Sequence, residues 1–190
     1  MERVNFQLVD MASWKSPNGK SLSFSGLGKR KLIKGACRVI SSVMPVKPSW
    51  FKPGKARNDM RLLAVLANGK PMSVLYYRVK GEASGKRYLW FHHANAAKSS
   101  TNLHYVRQKG ESPARSLFRW MRRKDGKNSV LIARFTVPGA RFMDKLERAG
   151  VLRQTATGDV REYVFTRKRM PRIKVKTRKM PKISRPRRGK

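Results

Sequence analysis

Acidic residues are scarce in this 190-residue chain: ten Asp and Glu stand against 46 Lys and Arg, a formal charge of +36. Solubility does not account for it, because a small domain needs a net charge of only about 2–8. Self-repulsion on this scale disfavours an isolated compact state and asks for a polyanion or a crowded assembly. The carboxylates are also scattered singly, which leaves little for paired acid–base chemistry. Cysteine is nearly absent. Cys37 alone excludes an intramolecular disulfide and a cysteine-based zinc site, fits a reducing compartment, and sits in an apolar helical pattern as a small buried side chain. No run approaches the ~18 apolar residues of a membrane span. The opening Met1–Phe6 lacks the basic-then-apolar order of a secretory signal, and Glu2 and Asp10 weigh against a mitochondrial presequence. No Gly-rich phosphate loop followed by Lys-Ser/Thr occurs, and Gly26-Leu27-Gly28 reads as a flexible turn.

Residues 167–190 lack both acids and aromatics while holding 13 Lys or Arg: Arg167, Lys168, Arg169, Arg172, Lys174, Lys176, Arg178, Lys179, Lys182, Arg185, Arg187, Arg188 and Lys190. Such a segment has nothing with which to build a core. Lys168-Arg169-Met170-Pro171-Arg172-Ile173 returns ten residues later as Arg178-Lys179-Met180-Pro181-Lys182-Ile183. Proline lacks an amide donor and pushes its predecessor out of the helical region, so the repeat suits an extended strap along a phosphate backbone. In composition Ser184–Lys190 resembles the Arg/Gly/Pro minor-groove hooks of chromatin proteins, without their Arg-Gly-Arg-Pro order.

The rest divides into a basic N-terminal extension with one helix (1–58, charge +10) and an α+β core (59–166, charge +13), with the extended basic tail (167–190) adding +13. A short strand is expected at Val4–Val9. From Lys29, Leu32, Ile33, Ala36, Cys37, Ile40, Val43 and Met44 recur at helical spacing, opposite Lys29, Arg30, Lys31, Lys34 and Arg38. Pro45 and Pro48 end that helix. Arg61–Ala67 and Met72–Val79 flank Asn68-Gly69, which offers the positive φ of a hairpin turn, and Arg87–His93 completes a meander. Helices are expected at Ala96–Gln108 and, behind a Ser112 cap and first-turn Pro113, at Pro113–Arg123. A strand at Ser129–Val137, a helix at Arg141–Ala149 and a strand pair at 151–155 and 160–166 follow. The fold class is therefore α+β, a small mixed sheet with short helices. Phe142–Ala149 with the polar hairpin ending at Phe165 resembles the helix-and-wing end of winged-helix proteins, although no three-helix order precedes it.

For function, an enzyme would have to use His92, His93 and His104, the only histidines. With Asn95 and Asn102 they have the residue types of a His-Asn-His nuclease, but the span is too short, no acidic ligand is near, and adjacent strand residues point to opposite faces. Binding uses more residues. Arg115, Arg119, Arg122, Arg123 and Lys124 lie on or beside the 113–123 helix with Phe118 and Trp120 interleaved, and these and the tail cations are the candidate phosphate contacts. Trp120 suits a core anchor or a base platform, and Tyr76, Tyr77, Tyr88, Trp90 and Phe91 divide between core and surface. No RNP1 octapeptide or Gly-x-x-Gly clamp occurs. The sequence thus reads as a non-enzymatic nucleic-acid-binding structural protein of a nucleoprotein particle, with the economy of ribosomal proteins and RNA favoured over DNA. It has protein neighbours in a large assembly, no membrane contact, and no metal or cofactor. The alternatives are a virion component facing packaged genome or an acidic assembly surface, and a small RNA-cleaving nuclease or toxin. A reducing intracellular compartment or a virion interior is the expected location.

Overall fold

The computed structural model describes residues 4–51, 59–81, 85, 87–133, 137–157 and 160–167. The tail contacts expected from Lys168 onward lie outside them. Seven strands form one mixed sheet in the order β1-β2-β3-β4-β5-β7-β6. The strands are β1 (Phe6–Asp10), β2 (Met60–Ala67), β3 (Lys70–Gly81), β4 (Arg87–Asn95), β5 (Ser129–Ala133), β6 (Leu152–Ala156) and β7 (Arg161–Phe165). Four helices accompany them: α1 (Gly26–Ile40), α2 (Ser99–Lys109), α3 (Pro113–Asp125) and α4 (Val137–Arg148). The mixed α+β class expected from the sequence is observed.

Local chemistry explains most element boundaries. Asn68 (φ 47°) and Gly69 (φ 74°) both take the left-handed conformation. A tight hairpin needs that at both central positions, so β2 and β3 are joined there. Ser112 caps α3 by accepting from the Arg115 amide, with Pro113 in the first turn where its missing N–H costs nothing. The last helix begins at Val137, earlier than the sequence pattern expects.

Sheet alternation sorts the core onto two faces. Leu63, Leu75, Tyr77, Leu89, Phe91 and Leu131 pack against Tyr105, Leu117, Phe118 and Met143 from α2, α3 and α4. Trp120 belongs to this core and is 5% exposed, which settles its role as an anchor. On the opposite face, Leu62, Ala64, Val74 and Tyr76 meet Leu32, Ile33, Ala36, Cys37 and Ile40 of α1, five of the seven positions picked out by helical periodicity; the helix ends at Ile40, short of Val43 and Met44, and Val43 is exposed. A Cβ on Gly35 would lie 3.3 Å from the Pro71 ring, so glycine lets α1 settle close onto the β2–β3 hairpin.

Two long-range pairings were not visible locally. The first strand pairs antiparallel with β2, and buried Asp10 at its end accepts from the Ala12 amide and Ser13 hydroxyl and ion-pairs with Lys124 of α3. The winged-helix resemblance fails because β7 pairs with β5, Val130 to Val164 through Ala133 to Arg161. The β6–β7 hairpin is therefore the sheet's edge, where a wing would project free of it.

Candidate functional site: the parting of the central parallel strands

The β4–β5 pair is parallel, and its register covers only Arg87–Trp90 against Ser129–Ile132. The β4 strand runs on to Asn95, held throughout by β3. Among the described residues, His92–Asn95 have no ladder partner on the β5 side. Among the same residues the ladder between these two parallel strands thus stops at Trp90 and Ile132, a gap in the pairing at their carboxyl ends, where ligands of open α/β sheets seat.

The chain leaving β4 is firmly tied at the mouth of this gap. The Ala96 amide donates to Met72 O (2.9 Å), Asn95 Oδ1 accepts from the Ala97 amide (3.0 Å), and Asn95 Nδ2 donates to Asn102 Oδ1 (3.2 Å). The α2 helix then starts with Lys98 at its N-cap, no side-chain cap and no acid in its first turn. The amides of Ser99, Ser100 and Thr101 have no intrahelical acceptor, and the side chains of Lys98, Ser99 and Ser100 are exposed. Donors and positive potential are concentrated there, which suits a phosphate.

Two histidines flank the free stretch of β4 on opposite faces, as alternation requires. His92 stacks on Tyr76 (6.4 Å between centroids, 22° between planes), and Tyr76 in turn meets Phe51 and Trp50. Burial lowers the His92 pKa below its ordinary value near 6.5, so the ring is neutral at pH 7. On the helix-covered face, His93 Nε2 is hydrogen-bonded to Ser73 Oγ at 2.9 Å, and burial pushes its pKa down to about 4. His104 lies half-buried on α2. No group of three His, Cys, Asp or Glu among the described residues could hold a metal ion.

The His93 shift carries a stability prediction. Its folded pKa lies below the unfolded value of about 6.5, so the unfolded chain takes up more protons as pH falls. The stabilisation of the neutral ring is complete above pH 6.5 and is lost as pH falls toward 4, in total roughly 2–3 kcal/mol. Denaturant titrations at pH 7 and pH 4 should show this loss, and His93→Gln should reduce it. An equal loss in parent and variant would show that His93 is not the group responsible.

The cations expected on α3 are largely engaged within the fold. Arg119 ion-pairs with Glu111, which also accepts from the Ser116 hydroxyl (2.6 Å). Arg122 donates to Thr166 O (2.7 Å) and lies over the Phe165 ring, and Lys124 reaches Asp10. Half-buried Arg115 has its pKa lowered by desolvation. Arg123 and Arg167 are exposed.

No family model matches the sequence, and no curated protein matches it. Solved structures do. A putative acetyltransferase from Agrobacterium tumefaciens is 13% identical, with 68% of this chain and 92% of that one covered and a TM-score of 0.46. Glucosamine-6-phosphate N-acetyltransferase from Arabidopsis thaliana is 11% identical (83% and 97% covered, TM-score 0.45). Campylobacter jejuni N-acetyltransferase PseH is 8% identical (85% and 98% covered, TM-score 0.44). All three are acetyltransferases by name. The expectation of a non-enzymatic nucleic-acid-binding structural protein is corrected accordingly, together with its virion and nuclease alternatives and with nucleic acid as the main partner. Net charge names no partner by itself, and of the α3 cations Arg119 and Lys124 are held in ion pairs and Arg122 against a carbonyl. Sequence reasoning also passed over Lys98, Ser99 and the open edge of β4. Only the turn-rich Asn95–Ser100 stretch between a strand and a helix hinted at them.

Proposed function

We propose that this chain transfers an acyl group from a phosphate-bearing thioester of the coenzyme A type to an amine. The observation that carries the reading is the parting of β4 from β5 after Trp90 and Ile132. The main-chain groups of His92–Asn95 that face away from β3 suit an extended, amide-containing arm, which can hydrogen-bond along a strand edge as an added strand would. Next to that edge, the first-turn amides of α2 and the Lys98 side chain suit the phosphates at the far end of such an arm. Nothing in this donor set opposes the fit: the first turn of α2 carries no acid and no side chain competes for its amides.

An acyl thioester seated there supplies an activated carbonyl carbon. The chain's own residues do the rest. Phe91, 7% exposed, turns toward the helix-covered core and keeps water from that side of the gap. His92 lies on the other face, is neutral at pH 7, and takes the proton that an attacking amine must lose. Tyr76, stacked on the imidazole, fixes the plane of the ring. His93, tied to Ser73 across the strand, holds β4 in place.

The test is thiol release from acetyl coenzyme A, followed with a thiol reagent across a panel of primary amines. Release that depends on an added amine is expected. Release no faster than the protein-free rate with every amine would refute the reading.

A further inference from the structure

Seven of the ten carboxylates fall within the described residues, and six of them are engaged. Asp10 pairs with Lys124, Asp59 with Arg78, Glu111 with Arg119, Asp125 with Arg61 and Asp144 with Arg161, while Glu147 accepts from the Gln154 amide. The Glu162 side chain has no hydrogen bond or ion pair among the described residues. In a chain of charge +36 a carboxylate without a cation is unexpected, because cations outnumber acids more than four to one.

Its position gives it a use. Register pairs Trp90 with Ile132 and Ile132 with Glu162, so the three side chains share one face in one row across β4, β5 and β7. This is the face opposite the α2, α3 and α4 core, the same face as His92, and the row lies where β4 and β5 part. Trp90 is 38% exposed, and Ile132, 5% exposed, is the floor between it and Glu162. Lys80 sets its ammonium 5.7 Å from the Trp90 ring centre, so this indole already serves as a seat for a cation. Arg78, the cross-strand neighbour of Trp90, is occupied by Asp59.

We infer that Trp90 and Glu162 form a recognition site for an organic ammonium carrying a flat apolar group, the carboxylate taking the ammonium and the indole the flat group. Two strand spacings, about 10 Å, separate the two backbones, and the side chains close that span over a small molecule. Ring face, carboxylate and apolar floor together select for charge and for shape. As the site of the acyl acceptor, this rests on the acyl-transfer reading above; as a binding site it stands without it.

The experiment is calorimetric titration of the full chain with 2-phenylethylamine, in the absence of any acyl donor so that failure of the transfer reading leaves it intact. Saturable binding is expected, with 2-phenylethanol, the neutral analogue, at least about tenfold weaker. Glu162→Gln should weaken the amine about tenfold and leave the alcohol unchanged, and Trp90→Ala should weaken both. Because Glu162 has no partner to lose, its variant should keep the parental circular dichroism and unfolding midpoint. No saturable binding of the amine, equal affinity for amine and alcohol, or an unchanged affinity in folded Glu162→Gln would each overturn the proposal.

Discussion

Replacing His92 with Ala should lower kcat for amine acetylation by about 10²–10⁴-fold, the usual contribution of a positioned acid–base group. Affinity for coenzyme A should stay at the parental value, because the imidazole lies on one face of the sheet while the donor's arm lies along the strand edge. The parental pH profile should show an acid limb with its midpoint below 6.5, since burial lowers the His92 pKa and only the neutral ring accepts a proton. In His92→Ala that limb should vanish along with the rate. A variant that keeps the parental rate and acid limb would remove His92 from the chemistry. One that loses donor affinity with kcat intact would give it a role in binding.

Asp10→Asn should destabilise the fold by about 1–3 kcal/mol, because it removes the buried carboxylate that the Ala12 amide, the Ser13 hydroxyl and the Lys124 ammonium share. Asp10 is fully buried, and its carboxylate joins the end of β1 to the Lys124 ammonium at the C-terminal end of α3. Asparagine retains an acceptor for the Ala12 amide but loses the charge that Lys124 needs. Equilibrium denaturation at pH 7 reads the change. Lys124→Met should cost more, since it leaves the fully buried Asp10 carboxylate without its cation. If Asp10→Asn unfolds at the parental denaturant concentration, the pair does not hold β1 and α3 together.

These two residues also show what could be read from the sequence. Periodicity found the buried stripe of α1, Asn68-Gly69 found its hairpin, and Ser112-Pro113 found the start of α3, because each depends on residues within a turn or two of one another. Lys124 was legible only as a cation on a basic helix. That it pairs with a carboxylate 114 positions earlier depends on how β1 and α3 meet, which no local pattern encodes. The same holds for the site. Opposite faces for His92 and His93 followed from strand alternation, whereas the end of the β4–β5 ladder at Trp90 and Ile132 depends on the pairing of residues about forty positions apart. Trp90 and Glu162 are 72 positions apart and share a row only through the insertion of β5 between β4 and β7.

The central claim is that the gap between β4 and β5 receives the donor, and amide chemical-shift mapping with coenzyme A tests it most directly. A protein of charge +36 attracts any polyanion, so the position of the shifts decides, and inorganic triphosphate at the same concentration serves as the control for charge alone. Saturable shifts confined to His92–Asn95 and Ser99–Thr101 are expected with coenzyme A, with triphosphate moving only the second group. Shifts scattered over the basic surface, identical for the two ligands and leaving His92–Asn95 unmoved, would contradict the account.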